Sequence, residues 1–212
     1  MSSFPEQLID RYRRFRHRHF DSHADQYEEL AAYGQHPEVM IISCCDSRVD
    51  PETVFSALPG ELFVVRNVAN LVPPFETGGL YHGVSAAIEF AVLNLRVKHI
   101  VIMGHAGCGG VKAALDQSAA IQTEAQFISR WMSMLDEARR KVLSSHQTSS
   151  ATEQQACLER EGIKTSIENL RTFPFVREVE ENGRLALHGA HFDIKTGSLS
   201  VLNHSRGEFF AL

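Results

Sequence analysis

Two short motifs carry cysteine and histidine in a combination typical of metal sites. The first, CCDSR, begins at Cys44, and the second, HAGCGG, begins at His105 and contains Cys108. Thiolate and imidazole suit zinc, which is redox-silent and, in catalytic sites, binds three protein ligands and one water. A lone buried cysteine or histidine is more often a packing residue than a ligand. The joint spacing of Cys44, His105 and Cys108 instead predicts a catalytic zinc site.

Asp46 and Arg48 lie inside the first motif and add a charged pair. An arginine can clamp a carboxylate through two hydrogen bonds, which fixes its orientation and keeps it ionised. Held in that way, Asp46 is expected to accept a hydrogen bond from a zinc-bound hydroxide and to direct its lone pair towards an incoming carbon. Released, Asp46 could displace the water and become a zinc ligand in a closed form. The alternative is an ordinary surface salt bridge.

Both motifs follow apolar runs that predict β-strands, at residues 39–43 and 99–103. Further strands are predicted at 62–65, 184–192 and 199–202, and helices at 51 onward, 79–95, 111–115, ~123–144 and ~153–171. Apolar strands separated by helices predict an α/β fold with a mainly parallel sheet flanked by helices. Ligands bind at the carboxyl ends of such strands, where both motifs fall.

The first ~35 residues form a distinct segment. Leu8, Ile9, Tyr12 and Phe15 recur at helical spacing, which predicts one or two helices that end at Gly34. We interpret residues 1–212 as one domain in which 1–35 form an N-terminal helical arm. Residues 11–19 hold five arginines and no acid. A solvated helix face is the favoured interpretation, and a phosphate-binding patch is the alternative.

Bulk properties exclude several classes of function. A net charge of -5 argues against general binding to nucleic acid or to an acidic membrane. The N-terminus lacks the apolar core of a secretory signal, and no apolar run reaches the length of a membrane span. We therefore expect a cytoplasmic protein with reduced cysteines, in which Cys45 and Cys157 serve packing.

Taken together, these residues resemble the β-class carbonic anhydrases, in particular the plant-like group with an open site. The matching motifs are CxDSR from Cys44, RNVAN from Arg66, SAAIEF from Ser85, GHxxCGG from Gly104, SIENL from Ser166, FPF from Phe173 and LHG from Leu187. The match covers nearly the whole chain from about Gln35 onward and is looser before it.

The resemblance implies a zinc enzyme that interconverts carbon dioxide and bicarbonate by attack of a zinc-bound hydroxide. It implies one zinc held by Cys44, His105 and Cys108, with Asp46 and Arg48 as the catalytic dyad. It also implies a homodimer, often assembled further, with active sites at the dimer interface and N-terminal arms that embrace the partner. The family's substrate-pocket positions fall on Gln35, Phe63, Val68, Phe90 and Gly109.

The family includes a group in which the aspartate closes onto zinc, helped by bicarbonate in a pocket built from Trp, Arg and Tyr. The corresponding residues here are Ile41, Arg66 and Phe90. Because only the arginine is retained, we expect no bicarbonate pocket and an open site. Phe90 also departs from the tyrosine of the plant-like group, which removes any hydroxyl contact at that position.

Two other functions remain open from the sequence. A hydrolase on the same scaffold could act on carbonyl sulfide or carbon disulfide, which are linear like carbon dioxide. A non-catalytic zinc protein could bind bicarbonate as a sensor or assemble as a structural subunit. The intact Asp46–Arg48 pair and the Gly109-Gly110 opening argue against the second, because structural zinc sites have four protein ligands.

Overall fold

The structure is a computed structural model that describes residues 4–116 and 127–212. The chain divides into two compact units, one ending at His36 and the other running from Pro37 to Leu212. Within the described residues, no helix is both long and apolar enough to cross a membrane.

The N-terminal unit is helical, as the sequence predicts. Helix α1 (Glu6–Phe15) continues through a π-helical turn and a 3₁₀ turn into α2 (Ala24–Tyr33). Gly34 ends α2 at the predicted residue, with φ of 81° and its N–H donated to the carbonyl of Leu30. A positive φ favours glycine because it has no Cβ. The arginines of residues 11–19 are exposed.

The second unit is built on a six-stranded sheet in the order β2-β1-β3-β4-β5-β6. The strands are β1 (Val39–Cys44), β2 (Leu62–Asn67), β3 (His99–His105), β4 (Ala186–Phe192), β5 (Leu199–Asn203) and β6 (Glu208–Ala211). β2, β1, β3 and β4 are parallel to one another, β5 pairs antiparallel with β4, and β6 pairs antiparallel with β5. The predicted mainly parallel sheet is confirmed. β6 was not predicted, because this short edge strand is mostly exposed and has no apolar repeat.

The helices of this unit are α3 (Pro51–Val54), α4 (Gly83–Glu89, continued as a π-helix to Leu95), α5 (Gly109–Asp116), α6 (Ile128–Met132), α7 (Asp136–Ser145), α8 (Ala151–Thr172) and α9 (Pro174–Glu181). The helix predicted at 79–95 begins four residues later than expected, after an extended loop. Residues 123–126 of the helix predicted at ~123–144 lie outside the described residues, and its remainder is divided between α6 and α7.

Helix α8 packs closely on β3 and β4 because two glycines make room for Ile163. A Cβ at Gly104 would lie 2.9 Å from Ile163 Cδ1, and one at Gly189 would lie 2.8 Å from Ile163 Cγ2. Ile163 is fully buried in the main core cluster, with Ile102 of β3 and Leu187 of β4. The close contact fixes the height of α8 above the sheet end where both motifs lie.

Replacing Gly189 by alanine should therefore force α8 away from β4. We expect the free energy of unfolding to fall by about 1–3 kcal/mol, the usual cost of overpacking a core. Urea denaturation of wild-type and Gly189→Ala protein measures this. Gly78→Ala is the matched control, because a Cβ there meets nothing within 4 Å. Equal stability of the two variants would contradict the close-packing account.

Candidate metal centre

Three side chains from the two motifs converge at one end of the sheet. Cys44 is the last residue of β1, His105 is the last residue of β3, and Cys108 lies just before α5. The two sulfur atoms are 3.9 Å apart, and the three donor atoms all lie within 4.8 Å of one another. All three residues are buried. Among the described residues this is the one Cys, His, Asp and Glu group with the geometry to hold a metal ion.

The two ring nitrogens of His105 differ in their hydrogen bonding. Nδ1 lies 3.1 Å from the carbonyl oxygen of Ala106, to which it can only donate, so the neutral ring carries its proton there. Nε2 is buried and, within the described part of the chain, has no hydrogen-bond partner. The imidazole is grouped with the two thiols, with the three donor atoms within 4.8 Å of one another. A buried acceptor without a partner is costly, and a metal ion at this point would remove that cost.

The two thiols affect each other's ionisation. Their shared hydrogen bond lowers the pKa of Cys44 and raises the pKa of Cys108, because one sulfur ionises at the expense of the other. Two neighbouring thiolates in a buried site repel each other unless a cation lies between them. The thiols alone therefore favour one thiolate, whereas a divalent metal would allow both.

Asp46 and Arg48 form the bidentate contact expected from the sequence. Asp46 Oδ1 accepts from Arg48 Nε at 2.9 Å and from its backbone N–H at 3.0 Å, and Oδ2 accepts from Arg48 Nη2 at 2.7 Å. These hydrogen bonds hold the pKa of Asp46 well below its usual range. Oδ2 also lies 3.9 Å from His105 Nε2. The carboxylate is thus ionised and directed towards the three donors.

Arg66 fixes the loop that carries the first motif. Its guanidinium donates to the carbonyl oxygens of Cys44 at 3.0 Å, Asp46 at 2.7 Å and Val49 at 2.7 Å. Asp50, the N-cap of α3, lies 3.4 Å from Arg66 Nη1 and accepts from the backbone N–H of Thr53. The sequence resemblance marked Arg66 only as the remnant of a bicarbonate pocket, whereas its contacts here bind the loop together.

A strained turn lies on the other side of Cys44. Ala69 and Asn70 have φ of 64° and 49°, which non-glycine residues rarely adopt. Asn67 closes this turn with two hydrogen bonds to the backbone of Leu71, both 2.9 Å long. The backbone N–H of Ala69 donates to the Cys44 sulfur and contributes to its lowered pKa. Such strain is found where a site requires a specific backbone conformation.

The predicted pocket residues fall into three groups. Val68 belongs to the same hydrophobic cluster as Cys44 and Cys108, and a Cβ at Gly109 would meet open space. Phe63 and Phe90 form a ring pair with centroids 5.9 Å apart, and Phe63 packs against the main core cluster instead. Gln35 belongs to the N-terminal unit and is exposed.

Two polar residues of α8 contact Cys108 and were not predicted. Glu159 Oε1 accepts from the backbone N–H of Cys108 at 3.0 Å, and Gln155 Nε2 donates to the Cys108 carbonyl at 3.2 Å. One sequence signal was available. Glu159 lies four residues before Ile163, on the helix stripe that continues to Ser166 and Leu170, and all four residues are buried. A charged side chain on a buried helix stripe indicates a specific partner.

The Asp50 cap gives a pH-dependent prediction. Asp50→Ala should lower the free energy of unfolding by about 1 kcal/mol at pH 7, the usual value of an N-cap. Hydrogen bonds from Thr53 lower the pKa of Asp50 in the folded protein. The stabilisation is therefore complete above the unfolded pKa of about 3.9 and is lost as the pH falls through the lower, folded value.

Urea denaturation of wild type, Asp50→Ala and Asp50→Asn at pH 7 and pH 3 measures the effect. Asparagine also caps helices, so Asp50→Asn should stay close to wild type at pH 7. A difference between wild type and Asp50→Ala that is as large at pH 3 as at pH 7 would count against the assignment.

Comparison with known proteins gives a consistent result. Residues 39–199 match the family model described as carbonic anhydrase. A carbonic anhydrase from Synechococcus elongatus is 35% identical over 201 residues, which cover 95% of this chain and 72% of that protein.

Solved structures agree with the sequence matches. The β-carbonic anhydrase CcaA has a TM-score of 0.91 at 32% identity, over 98% of this chain and 91% of its own. A tetrameric β-carbonic anhydrase from Sordaria macrospora has a TM-score of 0.83 at 29% identity, over 93% of this chain and 96% of its own.

Proposed function

This chain belongs to the β-carbonic anhydrase family, and we propose that Cys44, His105 and Cys108 hold one zinc ion for the reversible hydration of carbon dioxide to bicarbonate. The convergence of the three donors carries the proposal. Two thiols 3.9 Å apart and a buried imidazole nitrogen that lacks a partner among the described residues make a donor set suited to zinc.

The number of ligands favours catalysis over a purely structural role. Structural zinc sites are closed by four protein ligands, whereas three are found together in the described part of this chain. Gly109 follows Cys108 directly and places no side chain beside it. When bound, zinc supplies a Lewis acid that lowers the pKa of a coordinated water.

Asp46 is proposed to orient the attacking water, and Arg48 to orient Asp46. A carboxylate has about four acceptor positions, and Arg48 occupies three of those on Asp46. The position that remains is on Oδ2, the oxygen that lies towards His105 Nε2. Because its pKa is lowered, Asp46 stays ionised at neutral pH and accepts a hydrogen bond from the water. The water's lone pair is then directed at the carbon of carbon dioxide.

The substrate is a small apolar molecule, so its pocket must be apolar with few hydrogen-bond donors. We assign Val68 and Gly109 to the side of the pocket nearest the cysteines, since Val68 packs in their cluster. Phe63 and Phe90 are assigned to its outer wall, and Phe90 is 45% exposed. On the family resemblance, Gln35 would donate a hydrogen bond to a substrate oxygen, supplied by the partner subunit.

We further propose that the site is open at neutral pH. Asp46 is engaged by Arg48, and the guanidinium of Arg66 is engaged by three carbonyl oxygens of the loop. The guanidinium of Arg66 is therefore already hydrogen-bonded to the loop, and Ile41 has no polar group that could bind bicarbonate. Asp46 as a zinc ligand would require it to leave Arg48.

A homodimer or larger homo-oligomer is the proposed assembly. Large apolar side chains lie exposed on the second unit, with Leu80 86%, Tyr81 94% and Phe127 85% exposed. One structural neighbour is described as tetrameric. Tyr81 and Phe127 line the same pocket, and exposed large apolar side chains that lie together are typical of an interface. A sedimentation-velocity mass of one chain would contradict this assignment.

The cytoplasm is the proposed location. All four cysteines are free thiols, and two of them form the candidate metal centre. A reducing compartment keeps such thiols available for metal. Recovery of the protein from a secreted fraction would contradict the proposal.

The function is tested by measuring zinc content and carbon dioxide hydration on the same samples. Wild type should hold one zinc per chain and catalyse hydration in stopped-flow assays. Cys44→Ser should lose zinc and activity together, because a hydroxyl replaces a thiolate ligand. Asp46→Asn should keep its zinc and lose about 10²-fold or more in kcat, the usual contribution of a positioned proton acceptor.

Cys45→Ser is the matched control, because Cys45 is not among the three donors and is exposed, so the packing role predicted for it was wrong. It should keep both zinc and activity. Full hydration activity in a zinc-free Cys44→Ser protein would overturn the proposed site. Zinc-loaded wild type without hydration activity would overturn the proposed reaction.

A further inference from the structure

Cys108 differs from the other two candidate ligands in how its backbone is held. Cys44 and His105 are the last residues of β1 and β3, so strand pairing with β2 and β4 fixes their positions. Cys108 lies in the loop between β3 and α5, beyond the sheet. A ligand on a loop needs another support if its sulfur is to stay in place.

Helix α8 provides that support through one turn of side chains. Glu159 accepts the N–H of Cys108 and Gln155 donates to its carbonyl, so both polar groups of the Cys108 residue are bonded to α8. The carbonyl also accepts from the backbone N–H of Lys112 in α5 at 2.9 Å, whereas the N–H donates to α8. Gln155 Nε2 also donates to Glu159 Oε1 at 2.9 Å. The two side chains lie four residues apart and act as one clamp on the Cys108 backbone.

His191 connects this clamp to the sheet. Its Nε2 lies 3.1 Å from Glu159 Oε2, and both side chains are more than nine-tenths buried. His191 is on β4, paired with Gly104, the residue immediately before His105. The chain of contacts from Cys108 through Glu159 to His191 therefore ends beside the histidine ligand. This network therefore connects Cys108 to β4, which pairs with the strand that ends at His105.

Burying the polar side chains of Glu159 and His191 costs free energy, and packing alone gives no reason for polar residues at these positions. An apolar side chain at position 159 would suit a stripe that otherwise carries Ile163 and Leu170. The proposed reaction assigns no substrate contact to Glu159. What the network does is fix one residue, Cys108, from both sides of its backbone.

We propose that Glu159 is a positioning residue for the metal centre, which acts with Gln155 and His191 to fix the Cys108 ligand and thereby sets metal affinity and coordination geometry. The inference rests on the proposed function, because it presupposes that Cys108 binds zinc. Removing a group that hydrogen-bonds to a metal ligand and orients it typically weakens metal binding about 10–100-fold.

The test compares Glu159→Ala, Glu159→Gln and Glu161→Ala by competition for zinc against a chromogenic chelator. Glu159→Ala should weaken zinc binding about 10–100-fold. Glu159→Gln should recover to within about threefold of wild type, because its amide oxygen still accepts the Cys108 N–H. Glu161→Ala is the control on the same helix, since Glu161 pairs with Lys164 instead.

Cobalt(II) substitution adds a spectroscopic measurement of ligand geometry, which would not change if Glu159 only stabilised the fold. The visible and thiolate charge-transfer bands of cobalt report ligand geometry, so Glu159→Ala should shift them while Glu159→Gln and Glu161→Ala keep the wild-type spectrum. The proposal would be overturned if Glu159→Ala kept both the zinc affinity and the cobalt spectrum of wild type. A lower unfolding midpoint of the metal-free variant would then assign Glu159 a purely structural role.

Gln155→Ala covers the case in which Glu159→Ala does not fold. It removes one of two donors to the Cys108 carbonyl, the backbone N–H of Lys112 being the other, and should weaken zinc binding by a smaller factor, of about threefold or more. Wild-type affinity in Gln155→Ala would then overturn the proposal. If the wild-type protein binds no zinc, the proposed function and this inference are both wrong. If the wild type binds zinc and the variants bind it equally well, this inference alone is wrong.

Discussion

The fold brings two thiols to within 3.9 Å of each other in a buried position, and most of the surrounding structure serves that contact. Without a cation only one of the sulfurs ionises readily, as the opposite pKa directions of Cys44 and Cys108 show. Nε2 of His105 has no hydrogen-bond partner within residues 4–116 and 127–212, and the histidine belongs to the same group of three donors. A divalent metal at this point would make both features favourable, because it would stabilise two thiolates and accept the imidazole lone pair.

Each donor is held by a different means. Cys44 is held by its strand, by Arg66 on its carbonyl and by the strained turn at Ala69. His105 is held by its strand and by the hydrogen bond at Nδ1. Cys108 is held by the polar side chains of α8, whose distance from the sheet depends on the glycines beneath Ile163. Packing at a distance from the three donors thus contributes to the geometry of the candidate metal site.

The sequence allowed the sheet, most helices and the convergence of the two motifs to be predicted, because buried parallel strands are apolar throughout and their ends meet at one edge. The support of the site could not be predicted in the same way. Arg66 and Glu159 act on backbone groups of residues 22 and 51 positions away, and no local pattern encodes such a pairing. β6 escaped prediction because edge exposure removes the apolar repeat.

Zinc K-edge X-ray absorption on the wild-type protein at neutral pH tests the central claim most directly. The account predicts two sulfur neighbours at about 2.3 Å and two lighter neighbours, nitrogen or oxygen, at about 2.0–2.1 Å. On this account, the two sulfur atoms would belong to Cys44 and Cys108, and the lighter atoms would be a nitrogen of His105 and one solvent oxygen. One sulfur neighbour, or three with Cys45 recruited, would contradict the account.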